Sequence, residues 1–357
     1  MSAHEIVIYI MAGFALVGAL DRIFGNRLGL GKEFAEGIGA MGALALAMLG
    51  IISLAPVLAR LLEPVVVPVF SFLGADPAMF AGALLACDMG GGPLAMEMAG
   101  SEEAGLLGGV ITGSMLGATV VFTIPTAMGI LREEDRPALA KGILCGVVTV
   151  PVGILVGGLT AGMPFGMVAR NLLPILVLGA LIALGLWKAE KAMIRGFSAF
   201  GKGITALITA GLGAAIFEEL TGITLIPGME SLSAGFETVG AIAIVLAGAF
   251  PLVKLLTRAL RRPLEKLGRL LGINDAAAAG LVATLANSLA TFGLVKDMDD
   301  RGKVVNIAFA VSAAFVFGDH LGFTAGFAPE MLPAMIAGKL AGGAAAVAVA
   351  LLLTKQN

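Results

Sequence analysis

Apolar runs of about 20 residues recur along this chain, and a run of that length crosses a bilayer as a helix. About nine such runs are apparent, at residues 5–24, 36–59, 105–130, 138–161, 165–187, 198–219, 236–257, 303–327 and 331–353. Two further apolar stretches break in their middles. Ala78 to Met98 is interrupted at Cys87-Asp88-Met89-Gly90-Gly91-Gly92-Pro93, and Ala276 to Met298 at Asn287-Ser288. A polar, helix-breaking centre at membrane depth is costly unless protein encloses it. Interrupted segments at matching places in two halves point to a transported solute's site. The pattern predicts an all-α polytopic membrane protein of about nine spans plus two re-entrant hairpins.

Loop charge tests the hairpins, because Lys and Arg concentrate in cytoplasmic loops. With hairpins, Arg22, Arg27 and Lys32 fall on one side with Arg132, Arg136 and Lys141. Lys188, Lys191, Arg195 and Lys202 join them, followed by Arg258, Arg261, Arg262, Lys266 and Arg269, and by Lys296, Arg301 and Lys303. The opposite loops are nearly free of Lys and Arg, with Arg60 the main exception. Two full crossings in place of the hairpins would put three of the basic loops outside. The hairpin arrangement sets the N-terminus outside and the C-terminus, with Lys355, inside. The first residues, Met1-Ser2-Ala3-His4-Glu5, lack a basic region, so the first run is expected to be a retained helix.

The halves also resemble each other. Phe34 to Ala40 is similar to Phe236 to Ala241, and Leu73-Gly74-Ala75-Asp76 is similar to Leu271-Gly272-Ile273-Asn274. Ala81-Gly82 falls opposite Ala279-Gly280, and Pro64 opposite Pro263. Pairs in order at one drifting offset indicate a repeat. Residues 1–162 are the expected first repeat, with its re-entrant segment at 76–98. A linker helix follows at 163–190, and residues 191–357 form the second repeat, with its re-entrant segment at 274–298. Five spans precede the second repeat, so the two are inverted. Inverted repeats with a site at their interface are a secondary-transporter architecture.

Composition agrees. The chain of 357 residues is 58% hydrophobic and 13% charged, about half the charge of soluble domains, with a mean hydropathy of +0.99. The net charge of -2 comes with no basic patch of the nucleic-acid type. Cys87 and Cys145 lie in apolar segments and suggest no disulfide framework. No phosphate-cradling loop with its Lys occurs, and only His4 and His320 could supply imidazole. The expectation is therefore a lipid-embedded carrier with no cofactor and no metal, not an enzyme.

Polar residues inside the apolar runs are the candidate site. Asp88 sits at the first break among Gly90, Gly91 and Gly92, which permit close backbone approach. Intramembrane carboxylates mark solute or ion pathways; a helix cap is the competing reading. Asn287, with Thr284 and Ser288, occupies the second break, and its amide both donates and accepts. Asp319-His320 lies inside the 303–327 run. Weaker candidates are Thr112, Ser114, Asn306 and Ser312, whose kind more often bonds within or between helices. Glu36 belongs with these, since a first-turn acid suits a helix dipole. Phe80, Phe292 and Phe323 could present a ring face to a cation. Gly109, Gly113 and Gly117 share a helical face that suits close packing, within a protomer or between protomers of a homo-oligomer.

Several strings carry a family resemblance. Met41 to Met48, Leu84-Leu-Ala-Cys87-Asp88-Met-Gly-Gly91 and Val282-Ala-Thr-Leu-Ala-Asn287 resemble the ethanolamine permease of bacterial ethanolamine-utilisation operons. So do Arg301 to Asn306, Ala310 to Phe315 and Gly318-Asp-His-Leu-Gly-Phe323. The resemblance covers essentially the whole chain and departs in a compact first loop, Arg22 to Lys32, and a short C-terminal tail. It implies ethanolamine as substrate and the bacterial inner membrane as location. Asp88 and Asp319 would then balance the ammonium. Asn287 and Thr284 would receive the hydroxyl, and His320 would tune charge nearby. The leading expectation is a facilitator. A Na⁺- or H⁺-coupled symporter of ethanolamine or a related small amine or amino acid is the alternative, and an intramembrane enzyme the remote one.

Overall fold

The structure, a computed structural model, describes residues 2–354. Lys355, and the side chains of Arg261, Arg262 and Arg269 used in the charge reading, lie outside the described residues. Among the described residues the chain is helical, with no strand. Among the described residues, seven helices are long and apolar enough to cross a membrane.

Helix α1 (Ala3–Ile23) begins at a capping box in which the Ser2 and Glu5 side chains serve each other's backbone N–H groups. Near its other end the buried Asp21 carboxylate accepts the N–H groups of Leu28, Leu30 and Gly31 at 2.8–2.9 Å. It thereby closes the turn into α2 (Leu30–Gly39) and places a negative charge at that helix's positive end. Helix α3 (Met41–Phe72) continues as a long rod with Pro56, Pro64 and Pro68 inside it.

The first interrupted segment forms α4 (Ala78–Leu84), a 3₁₀ turn at Cys87–Met89 and α5 (Gly91–Met98). Leu85 and Ala86 are extended, Gly90 takes a left-handed φ of 94°, and the two limbs pack on one another. Next come α6 (Glu102–Leu106), a π-helical stretch (Leu107–Gly117, then Thr119–Thr123) and α7 (Ile124–Ile130), together one apolar rod. Helices α8 (Arg136–Val147) and α9 (Val150–Thr160) form another. Helix α10 (Phe165–Thr221) merges the two runs expected at 165–187 and 198–219 across a kink at Ala189 (φ -144°, ψ 45°).

Helix α11 (Leu232–Leu271) mirrors α3 in length and in its internal prolines, Pro251 and Pro263. Each rod ends at a left-handed glycine, Gly74 (φ 69°) or Gly272 (φ 67°). A side-chain cap follows in both places. Asp76 accepts from the Ala78 N–H and Asn274 from the Ala277 N–H, each at 2.9 Å. The second interrupted segment comes next, as α12 (Asp275–Ala286) and α13 (Ser288–Leu294). Asn287 is extended between them (φ -159°, ψ 125°), and again the limbs pack together. The last elements are α14 (Asp300–Ala313), α15 (Asp319–Phe327) and α16 (Leu332–Leu353).

One expected span is corrected. Residues 303–327 do not cross as a single helix; they split into α14 and α15 around Ala314–Gly318. Ala314 leaves the helical region, and Phe315 adopts φ 63°, uncommon for a residue with a Cβ. The cause is tertiary. The Phe315 N–H donates to the Thr284 carbonyl at 3.1 Å and the Phe317 N–H to the Leu285 carbonyl at 2.9 Å. This third break is therefore stitched to the second by backbone bonds, and these bonds over-determine the strained residue.

The glycine stripe faces inward. A Cβ on Gly109 would lie 2.9 Å from the Gly92 Cα, and one on Gly113 would lie 3.1 Å from the Cys87 N. One on Gly117 would overlap the Leu85 carbonyl. The stripe is thus covered by the first broken segment of its own chain.

A candidate solute site where three helices break

Three interruptions converge on one region. Asp88 rides on the 3₁₀ turn of the first break, while Asp319 and His320 open α15 at the third. All three line a cavity of about 240 Å³. Its other walls are Ala40, between α2 and α3, and residues of α3 including Ala43 and Ala47, with Met89, Ala118, Phe122 and Phe315. The Phe122 and Phe315 rings meet edge to face with centroids 5.4 Å apart, and Phe315 lies 5.3 Å from the imidazole of His320. The cavity therefore offers two carboxylates, an imidazole and two aromatic rings on an otherwise apolar surface.

A buried residue absent from the sequence candidates completes the arrangement. Lys339, on α16, is 1% exposed. Its ammonium donates to the Ser114 carbonyl and to His320 Nδ1, the latter at 3.0 Å. An ammonium carries only donors, so Nδ1 accepts and the imidazole proton sits on Nε2. Nε2 lies 3.7 Å from Asp88 Oδ1. The chain Lys339–His320–Asp88 thus joins a cation to a carboxylate through a neutral ring. The signal for Lys339 was present in the sequence, as a lone charge inside the 331–353 run.

Cys87 Sγ, an Asp88 oxygen and a His320 ring nitrogen lie within 4.8 Å of one another, a donor set that suits a transition metal. A metal-bound imidazole ordinarily hands the proton of its other nitrogen to a carboxylate or carbonyl. Here that nitrogen faces the Lys339 amine, so the group reads better as a chain of charged and polar partners than as a metal site.

Asp319 also lines a second, more open cavity of about 470 Å³, together with Asn287, Gly318 and Phe317. Glu33, Glu36, Lys254 and Arg258 edge that cavity. Its cations are engaged: Lys254 bonds Glu33 at 2.5 Å, and Arg258 donates to the Leu28 carbonyl at 3.1 Å. Among the described residues no ion pair reaches Asp319. It is the side chain common to both spaces.

The other candidates sit elsewhere. The Asn287 side chain accepts from the Leu289 N–H at 2.7 Å, capping α13. Thr284 is fully buried and its hydroxyl pairs with Thr291 at 2.8 Å, holding the limbs of the second break together. The Ser288 hydroxyl is buried without a partner, as is that of Ser312. Thr112 bonds the Leu107 carbonyl and Ser114 that of Ile111. Asn306 donates to the Ala277 and Gly302 carbonyls, tying α14 to α12. Glu36 pairs with Lys32 at 3.6 Å on an exposed rim. Gly90, Gly91 and Gly92 shape the first break, with Gly92 against the Phe323 ring. Phe323 stacks on Phe327, and Phe80 meets Phe70 edge to face; neither they nor Phe292 line the cavity.

Comparison with known proteins identifies the family. A family described as "Ethanolamine utilisation protein, EutH" matches residues 3–353. A relative from Listeria monocytogenes named "Probable ethanolamine permease EutH" is 56% identical, over 100% of this chain and 95% of its own. One of the same name from Salmonella typhimurium is 48% identical, over 100% of this chain and 97% of its own. "Uncharacterized protein YxeR" from Bacillus subtilis is 52% identical, over 91% of this chain and 88% of its own. No solved structure matches. The polytopic helices, the paired breaks and a match along nearly the whole length make this chain a member of the EutH ethanolamine-utilisation family.

Proposed function

We propose that this chain carries ethanolamine across the bacterial inner membrane, as a facilitator that lets the solute run down its gradient. The observation that carries this reading is the 240 Å³ cavity bearing Asp88, Asp319 and His320 where helices break. A water molecule occupies about 30 Å³ in the liquid. The cavity thus has room for two carbons, a nitrogen and a hydroxyl, with water to spare. The carboxylates suit the ammonium, and the Phe122 and Phe315 rings offer it their faces. Neutral ethanolamine can leak through lipid, whereas the cation pays the full cost of dehydration. A carrier matters most at lower pH, where the cation dominates.

The architecture we infer is two inverted repeats, 1–162 and 191–357, about a linker at 163–190. The matched glycines Gly74 and Gly272, the matched caps Asp76 and Asn274 and the paired breaks support it. The segments 76–98 and 274–298 enter as re-entrant hairpins, with the N-terminus outside and the C-terminus inside. The packed limbs and the one-sided basic loops favour this. The second cavity, edged by Lys254 and Arg258, then opens to the cytoplasm. Asn287 meets the solute hydroxyl there, while Thr284 and Ser288 shape the break. Proton-coupled symport is the second reading, favoured by the Lys339–His320–Asp88 chain.

Uptake of [¹⁴C]ethanolamine into proteoliposomes, with and without Na⁺ and H⁺ gradients, tests both. Saturable uptake that equilibrates and ignores the gradients is expected. Accumulation above the bath under a proton gradient would replace the facilitator by the symporter. Uptake no faster than in protein-free vesicles would remove both.

A further inference from the structure

The site holds two carboxylates, but one of them already has a cation. Lys339 Nζ reaches His320 Nδ1 at 3.0 Å, and His320 Nε2 points back toward Asp88 at 3.7 Å. Lys339 and His320 are 1% and 2% exposed, so bulk water does not screen this chain. A buried ammonium is tolerated only where a carboxylate or carbonyls answer it, and the answering groups here are the Ser114 carbonyl and, through the imidazole, Asp88. Asp319 is differently placed. It belongs to the walls of both cavities, and among the described residues no ion pair engages it. Cys87, a further titratable group here, has its Sγ within 4.8 Å of both an Asp88 oxygen and a His320 ring nitrogen.

We propose that Lys339 is a resident ammonium that neutralises Asp88 through His320, which leaves Asp319 as the carboxylate that takes the ammonium of the solute. This rests on the permease reading above and divides the labour within its site. Charge counting supports it. Lys339 and Asp88 sum to zero, and Asp319 with one bound monocation also sums to zero, so an occupied site carries no unbalanced charge. It also gives Asp319 a path, since a cation held there can pass between the two cavities without leaving its counter-ion. Lys339 is a positioning residue in this scheme: it does not line the cavity, and it acts through His320, which does, by setting the charge on Asp88.

The test is equilibrium binding of [¹⁴C]ethanolamine to the purified full-length protein, with gel filtration to certify each variant as monodisperse. Asp319→Asn is expected to weaken binding at least about 30-fold, the loss typical of removing one member of a buried charge pair. Asp88→Asn is expected to weaken it about tenfold, because an unbalanced Lys339 repels the solute cation. Asp88→Asn combined with Lys339→Met removes the pair together and is expected to restore binding to within about threefold of wild type. A merely structural role for Lys339 would make the double variant worse, not better. Should Asp88→Asn alone misfold, recovery of monodisperse protein in the double variant reads the same coupling, and Asp319→Asn still stands as a separate arm. Wild-type affinity in Asp319→Asn, or a double variant no better than Asp88→Asn, would overturn the assignment. No binding by the wild type would overturn the permease reading itself, before any variant is compared.

Discussion

Asn287 illustrates how one side chain serves both fold and site. Its backbone is extended, its side chain accepts from the Leu289 N–H, and it lines the second cavity. Asn287→Ala should cost about 1 kcal/mol through the lost cap, seen as a lower thermal midpoint in detergent. Asn287→Ser keeps a capping oxygen and should keep the midpoint, yet lose much of the uptake because its hydroxyl is shorter than the amide. Full uptake by Asn287→Ser would reduce Asn287 to a cap. At this scale the sequence disclosed Asp88, Asp319 and His320, because charge within an apolar run is visible without a fold. Lys339 obeys the same rule but sits within one continuous helix, with no interruption beside it. Phe122 and Phe315 were not legible, since a phenylalanine in an apolar run looks the same whether it faces lipid, core or cavity.

The breaks and the glycine stripe belong to the scale of elements. Gly117 leaves no room for a side chain beside the Leu85 carbonyl, so Gly117→Val should destabilise by about 1–3 kcal/mol and lower the thermal midpoint. Gly203, exposed on α10 with open space where its Cβ would be, is the control. Gly203→Ala should leave the midpoint unchanged or raise it slightly, because alanine favours helix. Equal losses at both positions would contradict the packing described here. Two of the three breaks were legible, because Asp88 with its glycines and Asn287-Ser288 interrupt local helix propensity. The third was not. Ala314 to Phe317 reads locally as helix or strand, and the break arises from backbone bonds to Thr284 and Leu285, residues distant in sequence. The π-helical stretch was equally hidden, since its tight packing on the first break is a tertiary condition.

Across the whole molecule, the charge asymmetry of the loops and the packed limbs of each break favour the topology proposed above. Cysteines introduced at Ser101 and Lys191, both exposed, should differ in intact cells. A membrane-impermeant maleimide should label Ser101→Cys and spare Lys191→Cys until the membrane is opened. Cys87 and Cys145 are buried and should give little background. The reverse pattern would invert the topology and, with it, the direction in which the second cavity opens. Run length made most spans legible, but 303–327 divides, and the runs at 165–187 and 198–219 fall within the one helix α10. The convergence of the first and third breaks on one cavity, with the second stitched to the third, was not, because it depends on how distant helices meet.

The most direct measurement concerns the cavity itself. Ala47 lines it from α3 and carries no polar group of its own. Ala47→Cys should support ethanolamine uptake in proteoliposomes, lose it when a small methanethiosulfonate converts the thiol to a mixed disulfide, and be modified more slowly when ethanolamine is present. Uptake that survives complete modification, or modification that ethanolamine does not slow, would mean that the solute takes another route.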